Sequence, residues 1–84
     1  MNGLEAAIIS AVLSDEFEKY DDEGWYILPM QDMMEIFHMK RTAQTRIVQS
    51  MAGKGILETK ISSTLPPNRL IKLNALRIKT LLEG

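Results

Sequence analysis

At 84 residues the chain can form one small hydrophobic core, and folding would remove only about 60–65% of the surface that the unfolded chain exposes. It has no Cys and one His, which excludes a disulfide framework and a zinc site built from Cys or clustered His ligands of one chain. No apolar run approaches the roughly 18 residues of a membrane span and no basic-then-apolar leader is visible, so a reducing, cytoplasmic location is expected.

The first predicted element is an amphipathic helix in the N-terminal quarter. Its apolar residues recur at helical spacing over about four turns: Leu4, Ala7, Ile8, Ala11, Val12, Leu13, Phe17 and Tyr20. Asp15, Glu16 and Glu18 fall near its predicted C-terminus, where the helix dipole disfavours negative charge. This acidic end is interpreted either as a surface for a partner protein or as a solvated surface without a role.

A turn and a short strand are predicted next. Gly24 supplies the turn, and 25–28 is rich in aromatic and branched residues that favour a strand, a possible third partner for a later ribbon. Pro29 suits the start of the second helix, because its missing N–H costs nothing in the first turn.

The second helix carries an apolar stripe with helical spacing: Met30, Met33, Met34 and Phe37. Such a stripe is more often core than a promiscuous methionine binding surface, so core is the favoured interpretation. A turn at 38–40 follows, with Met39 predicted to be buried beneath it. His38 is assigned no chemistry, because a single His at a helix end usually caps the helix or faces solvent.

The third helix is predicted to begin near Arg41 or Thr42. Its inner face has four members: Ala43, Ile47, Val48 and Met51. Its outer face is formed by side chains with hydrogen-bond donors: Thr42, Thr45, Arg46, Gln49 and Ser50. Arg can bond O6 and N7 of guanine and Gln can bond N6 and N7 of adenine, so Arg46, Gln49 and the boundary residue Gln44 are candidates for reading bases. The alternative is a solvated helix face.

A two-stranded ribbon, residues 56–73, is predicted after this helix. Gly55 is the expected left-handed stop of the helix. Alternating patterns at 56–61 and 69–73 indicate two strands, joined by 62–68 with two prolines that stiffen the tip. Leu65 in the tip is interpreted as a minor-groove or protein contact, or as an incidental exposed residue.

The last predicted helix covers 75–82 and has apolar residues on more than one side. It is expected to pack on the first helix and to present a stripe to a second subunit, which gives a homodimer through the first and last helices.

The charges are sorted along the chain. Residues 1–37 carry nine acidic residues and one Lys, whereas 38–84 carry nine basic and two acidic residues, for net charges of −8 and +7. This asymmetry indicates a phosphate-facing surface despite the overall charge of −1.

Three stretches carry a resemblance that needs no alignment gap between them: a turn at 38–41, a helix at 43–51, and Lys54-Gly55-Ile56-Leu57-Glu58 as a basic-Gly-aliphatic-aliphatic-charged strand entry. Together they resemble the winged helix-turn-helix domain, with its turn, recognition helix and wing. The acidic turn before Trp25-Tyr26-Ile27 and the pair Pro67-Asn68 resemble, more narrowly, the winged-helix domains of plasmid and phage replication initiators. The chain departs from the family at Gln44, where an aliphatic core residue is common, and at Gly53 inside the helix end.

The sequence therefore predicts a mainly α-helical α+β fold, a single winged-helix domain over 1–84 with a helix-turn-helix at 30–52 and a wing at 56–73. The predicted function is sequence-specific binding of double-stranded DNA in prokaryotic, plasmid or phage transcription or replication control, with the third helix in the major groove and the wing on the backbone. The candidate DNA contacts are Lys40, Arg41, Thr42, Gln44, Thr45, Arg46, Gln49, Ser50, Lys60 and Arg69.

The sequence leaves two weaker alternatives open. In the first, the same fold is an interaction module that docks a replication or transcription protein through the acidic first helix or Leu65. Catalysis is the weakest reading, because no residue pair has acid–base or nucleophilic spacing; no catalytic residue, metal or cofactor is predicted. The chain is expected to be either a complete small regulator or an N-terminal domain of a larger initiator.

Overall fold

The computed structural model describes residues 3–28 and 30–83. Helices and strands follow one another in a mixed α+β order: α1 (Gly3–Leu13), β1 (Trp25–Ile27), α2 (Met30–Phe37), α3 (Arg41–Gly53), β2 (Leu57–Ile61), β3 (Arg69–Leu73) and α4 (Ala75–Glu83). The predicted α+β class is thereby confirmed. The predicted placement of Pro29 at the start of α2 lies outside the described residues.

The first helix is shorter than predicted. It ends at Leu13, because Asp15 adopts a left-handed conformation with φ of 57° and the N–H of Glu16 donates back to the carbonyl of Ala11 at 3.0 Å. This geometry closes a helix, and Asp tolerates it better than most residues. The prediction of four helical turns was wrong. Phe17 is nevertheless buried, so the apolar spacing in the sequence extends beyond the end of the helix.

The sheet places the predicted short strand as third partner of the ribbon. All strands are antiparallel and their order is β1-β3-β2, with Trp25 opposite Lys72 and Ile61 opposite Arg69. The turn before β1 depends on Gly24, which has φ of 98°. It also depends on Asp21, whose Oδ1 accepts hydrogen bonds from the N–H groups of Glu23 and Trp25. The ribbon therefore has a fixed support on its β3 side.

The two faces of the sheet have different roles. Tyr26, Ile71 and Leu57 lie on one face and belong to the helical core. Leu70 is on the opposite face, in one row with Ile27 and Lys60, and is fully buried as well. The outer face of the sheet thus has a small buried centre of its own.

A tight turn connects α2 to α3, as predicted. His38 has φ of 54° and is exposed, whereas Met39 is buried and its N–H donates to the carbonyl of Met33 at 3.3 Å. The methionine stripe of α2 is only partly core: Met33 is fully buried, but Met30 and Met34 are 44% and 45% exposed. One side of α2 therefore keeps methionine at the surface.

The inner face of α3 is rotated by roughly 40° from the prediction. Gln44, Val48 and Met51 are buried, and Ile47 is half-buried. Ala43 is exposed, so its assignment to the core was wrong. The pattern favoured the alanine because it is the apolar neighbour of a polar residue, yet the larger side chain of Gln44 fills the interior position.

Candidate nucleic-acid interface

The exposed face of α3 is built by three side chains on the side opposite the core. Thr42, Arg46 and Gln49 lie within about 60° of one another on a 3.6-residue helix, and all three are exposed. None of the three has a hydrogen-bond or ion-pair partner among the residues that the structure describes. Two long side chains with planar donor groups therefore project together from the middle of the helix.

The N-terminus of α3 adds two cations to this surface. Lys40 is the N-cap, in an extended conformation with φ of −70° and ψ of 162°, and it makes no side-chain capping bond. Arg41 begins the helix, and both side chains are exposed. The first N–H groups of a helix carry a partial positive charge that favours anions. Phosphate groups suit this end of the helix.

Gln44 is not available to read bases, contrary to the prediction. It is only 3% exposed, and its Nε2 donates to the carbonyl of Met39 at 2.8 Å and to that of Met30 at 3.2 Å. These two carbonyls belong to α2 and to the turn, so the amide joins the two helices. The winged helix-turn-helix domains that the sequence resembles commonly have an aliphatic residue at this position. The signal in the sequence was the departure itself: a polar residue at a core position needs an internal partner.

Arg69 brings the ribbon to α3. Its Nη2 donates to Thr45 Oγ1 at 3.3 Å, and the Thr45 hydroxyl donates to the carbonyl of Arg41 at 3.2 Å. A groove of about 230 Å³ lies between α3 and β2, and Thr45, Gln49, Thr59 and Arg69 are among the residues that line it. Helix and ribbon candidates therefore share one concave surface.

Lys60 also borders this groove, but its side chain interacts elsewhere. It occupies the face of the sheet opposite Arg69, and its Nζ is 4.1 Å from the centre of the Trp25 ring. An ammonium over an indole ring is attracted by the negative face of the ring. The side chains of the two ribbon cations that were predicted together therefore lie on opposite faces of the ribbon, and Arg69 is the one that is hydrogen-bonded to α3.

Ser50 lies on the other flank of α3. It lines a shallow groove of about 500 Å³ together with Leu4, Ala43, Arg46 and Ile47. The exposed face of α3 is thus bordered by one groove toward the ribbon and by a second groove toward the start of α1.

The tip of the ribbon is organised by its own polar groups. Ser62 is buried, and its Oγ accepts a hydrogen bond from the N–H of Asn68 at 2.8 Å while lying 2.7 Å from Thr64 Oγ1. Thr64 donates in turn to the carbonyl of Pro66 at 3.3 Å, and the Leu65-Pro66 peptide bond is cis. Leu65 lies between Thr64 and Pro66 and is 94% exposed. The tip is pre-organised, and Ser62 is a residue that the sequence pattern did not single out.

Two basic residues of the C-terminal half bond to other parts of the protein. Lys54, just after α3, forms an ion pair with the buried Glu5 of α1 at 3.0 Å. Arg77 of α4 donates from Nε to the carbonyl of Lys54 at 2.9 Å, and it lies against Gly55, which has φ of 74° as predicted. These cations fix the end of α3. The charge pattern of the sequence could not separate these bonded cations from those that have no partner among the described residues.

An apolar groove of about 440 Å³ lies between the end of α1 and α4. Its lining includes Leu13, Leu73, Ile78 and Leu82, with Lys79 at its edge. Leu13 and Leu82 are both 71% exposed. The first and last helices, which were predicted to pack on each other, are therefore separated by this groove at the end of α1.

The structure also bears on metals and membranes. Within residues 3–28 and 30–83, no group of three or more acidic or His side chains is arranged to hold a metal ion. None of the described helices has the length and apolar character required to cross a membrane. A comparison of the chain with protein-family models, with curated proteins and with solved structures finds no match.

Proposed function

We propose that this protein is a winged helix-turn-helix domain that binds double-stranded DNA sequence-specifically, in prokaryotic, plasmid or phage transcription or replication control. In this proposal α2 and α3 are the helix-turn-helix, α3 enters the major groove, and the ribbon is the wing that lies on the backbone. The succession of two helices, a tight turn and an antiparallel β2–β3 pair backed by β1 supports it. A cytoplasmic setting belongs to the same proposal.

The observation that carries the proposal is the exposed pair Arg46 and Gln49 on α3, whose side chains have no partner within residues 3–28 and 30–83. A guanidinium and a carboxamide are the groups that form paired hydrogen bonds with guanine and adenine in the major groove. Three other polar side chains, those of Gln44, Lys54 and Arg77, are by contrast bonded within the protein. Around the pair, Lys40, Arg41 and Arg69 can position the helix on phosphates without reading sequence.

The test is a binding-site selection on a randomised duplex with the wild-type protein and with Arg46→Ala and Gln49→Ala. Each variant should lose about 1–3 kcal/mol on the preferred site and much less on random DNA, with the preference flattened at a separate position for each. Gln31→Ala is the matched control, because Gln31 is an exposed glutamine of α2 whose amide already bonds Glu35 at 3.0 Å. Absence of any enriched sequence, or unchanged preferences in both variants, would contradict the proposal.

A second candidate function, a protein-interaction module, is favoured by the apolar groove between α1 and α4. The first and last helices would pair there with a second copy, or with a replication or transcription protein near the acidic residues that follow α1. Exposed leucines beside a groove of this kind are typical of contact surfaces. Sedimentation of the wild type and of Leu82→Lys, with and without a mixed DNA pool, tests it. A wild-type protein that sediments as a monomer under both conditions would rule out pairing with a second copy.

A further inference from the structure

Arg69 is a half-buried cation of the ribbon, and its side chain is hydrogen-bonded to a side chain of α3, the recognition-helix candidate. Its position in the sheet is fixed by the pairing of β2 with β3, in which it lies opposite Ile61. Side chains alternate along a strand, so Arg69 shares the face of Ile71, which belongs to the helical core. The strand register thus directs the guanidinium toward α3.

The partner of Arg69 is a side chain of the interface. Thr45 accepts from Arg69 at 3.3 Å and donates its own proton to the carbonyl of Arg41 at 3.2 Å, so both functions of the hydroxyl are used. Thr45 is one helical turn before Gln49, and both residues line the groove of about 230 Å³ that Arg69 also lines. The bond therefore ties β3 to the part of α3 that carries a base-reading candidate.

We propose that Arg69 is a specificity-determining residue, which holds α3 and the ribbon at a fixed separation and thereby sets where Gln49 meets a base pair. This inference rests on the proposed DNA binding. It changes the role of Arg69 from a general phosphate contact, the role expected from the sequence, to a positioning residue. A single hydrogen bond occupies one of the five N–H donors of the guanidinium, so Arg69 keeps its charge available to the DNA while it positions the helix.

The experiment combines binding-site selection with salt titration of affinity. Arg69→Lys keeps the positive charge but replaces the planar donor fork, and Thr45→Val removes the hydroxyl at nearly constant shape. Thr45→Ser is the conservative control because it retains the hydroxyl. Lys60→Ala is the control for charge, because Lys60 lies on the opposite face of the ribbon, over Trp25.

Arg69→Lys and Thr45→Val should each reduce affinity for the preferred site by about tenfold, which corresponds to one lost hydrogen bond of about 1.4 kcal/mol, and both should change the preference at the position altered by Gln49→Ala. The double variant should be no weaker than the single ones, because both remove the same bond. Arg69→Lys should leave the salt dependence unchanged. Thr45→Ser should keep the wild-type preference, and Lys60→Ala should weaken all sequences equally.

Two results overturn the inference in distinguishable ways. If the wild type enriches a sequence and the Arg69 and Thr45 variants enrich the same one, the positioning role fails while DNA binding stands. If the wild type enriches nothing, both fail. Thermal melts of each variant establish that the compared proteins are folded.

Discussion

Lys54 at the end of α3 and Glu5 in the first half of α1 form an ion pair in which Nζ lies 3.0 Å from both carboxylate oxygens. The two residues are 49 positions apart in the chain, and the Glu5 side chain is fully buried whereas that of Lys54 is 45% exposed. The pair holds α1 against the C-terminal end of α3.

Replacing Lys54 should reveal this link. Lys54→Met should lower the free energy of unfolding by about 2 kcal/mol, because it leaves the buried Glu5 carboxylate without its Lys54 cation; the partial exposure of Lys54 keeps the effect below that of a fully buried pair. Urea denaturation measures it. Lys79→Met is the control, since the Lys79–Glu83 pair is exposed at 3.9 Å and should contribute less than about 1 kcal/mol. Equal losses in both variants would contradict the assigned burial.

Gln44 should matter for stability and not for base preference. Gln44→Leu should cost about 1–3 kcal/mol, because the carbonyl of Met39 loses its donor in a buried position although the volume is nearly kept. Its selected DNA sequence should equal that of the wild type. Urea denaturation and binding-site selection on the same preparation check both statements, and a changed base preference with unchanged stability would place Gln44 at the surface instead.

The rotated phase of α3 gives a graded prediction for its core. Met51→Ala should cost about 2–5 kcal/mol, because Met51 is fully buried, and Ile47→Ala should cost less, because Ile47 is half-buried. Ala43→Ser should change the melting temperature little, since Ala43 is exposed. Thermal melts of the three variants rank the positions. A large loss of stability in Ala43→Ser would mean that Ala43 is buried, as the sequence pattern predicted.

Salt should weaken DNA binding strongly. If Lys40, Arg41, Arg46, Lys60 and Arg69 neutralise four or five phosphates, the logarithm of affinity should fall with the logarithm of salt concentration at a slope of roughly −4. Titration of a labelled duplex between low and moderate salt measures this slope. A slope near zero would remove the electrostatic basis of the proposed function.

The ribbon and the ends of α3 could be predicted from the sequence because their signals are local. Alternation within each strand, the prolines between them and the left-handed Gly55 act over a few residues, and the structure places β2 and β3 at 57–61 and 69–73. The helix-turn-helix spacing has the same local character, with Met39 buried beneath the turn.

What the sequence missed depends on distant partners or on competition between neighbours. The pair of Glu5 with Lys54 and the bond of Arg77 to the same turn join residues that no local pattern connects. Ala43 and Gln44 are neighbours at the edge of the inner face of α3, and Gln44 is the one that is buried. Its amide is stable there because two carbonyls accept its N–H groups. Similarly, the apolar period of α1 ran on to Phe17 after Asp15 had already ended the helix.

The Lys60 ammonium over the Trp25 ring gives the protein an internal optical reporter. Trp25 is its sole tryptophan, and it lies half-buried in β1, on the sheet face away from α3. A duplex that draws Lys60 to its phosphates would remove the cation from the indole and shift the emission, whereas a duplex held by α3 alone would leave the emission unchanged. Intrinsic fluorescence, with no label attached, therefore distinguishes engagement of the ribbon from engagement of the helix.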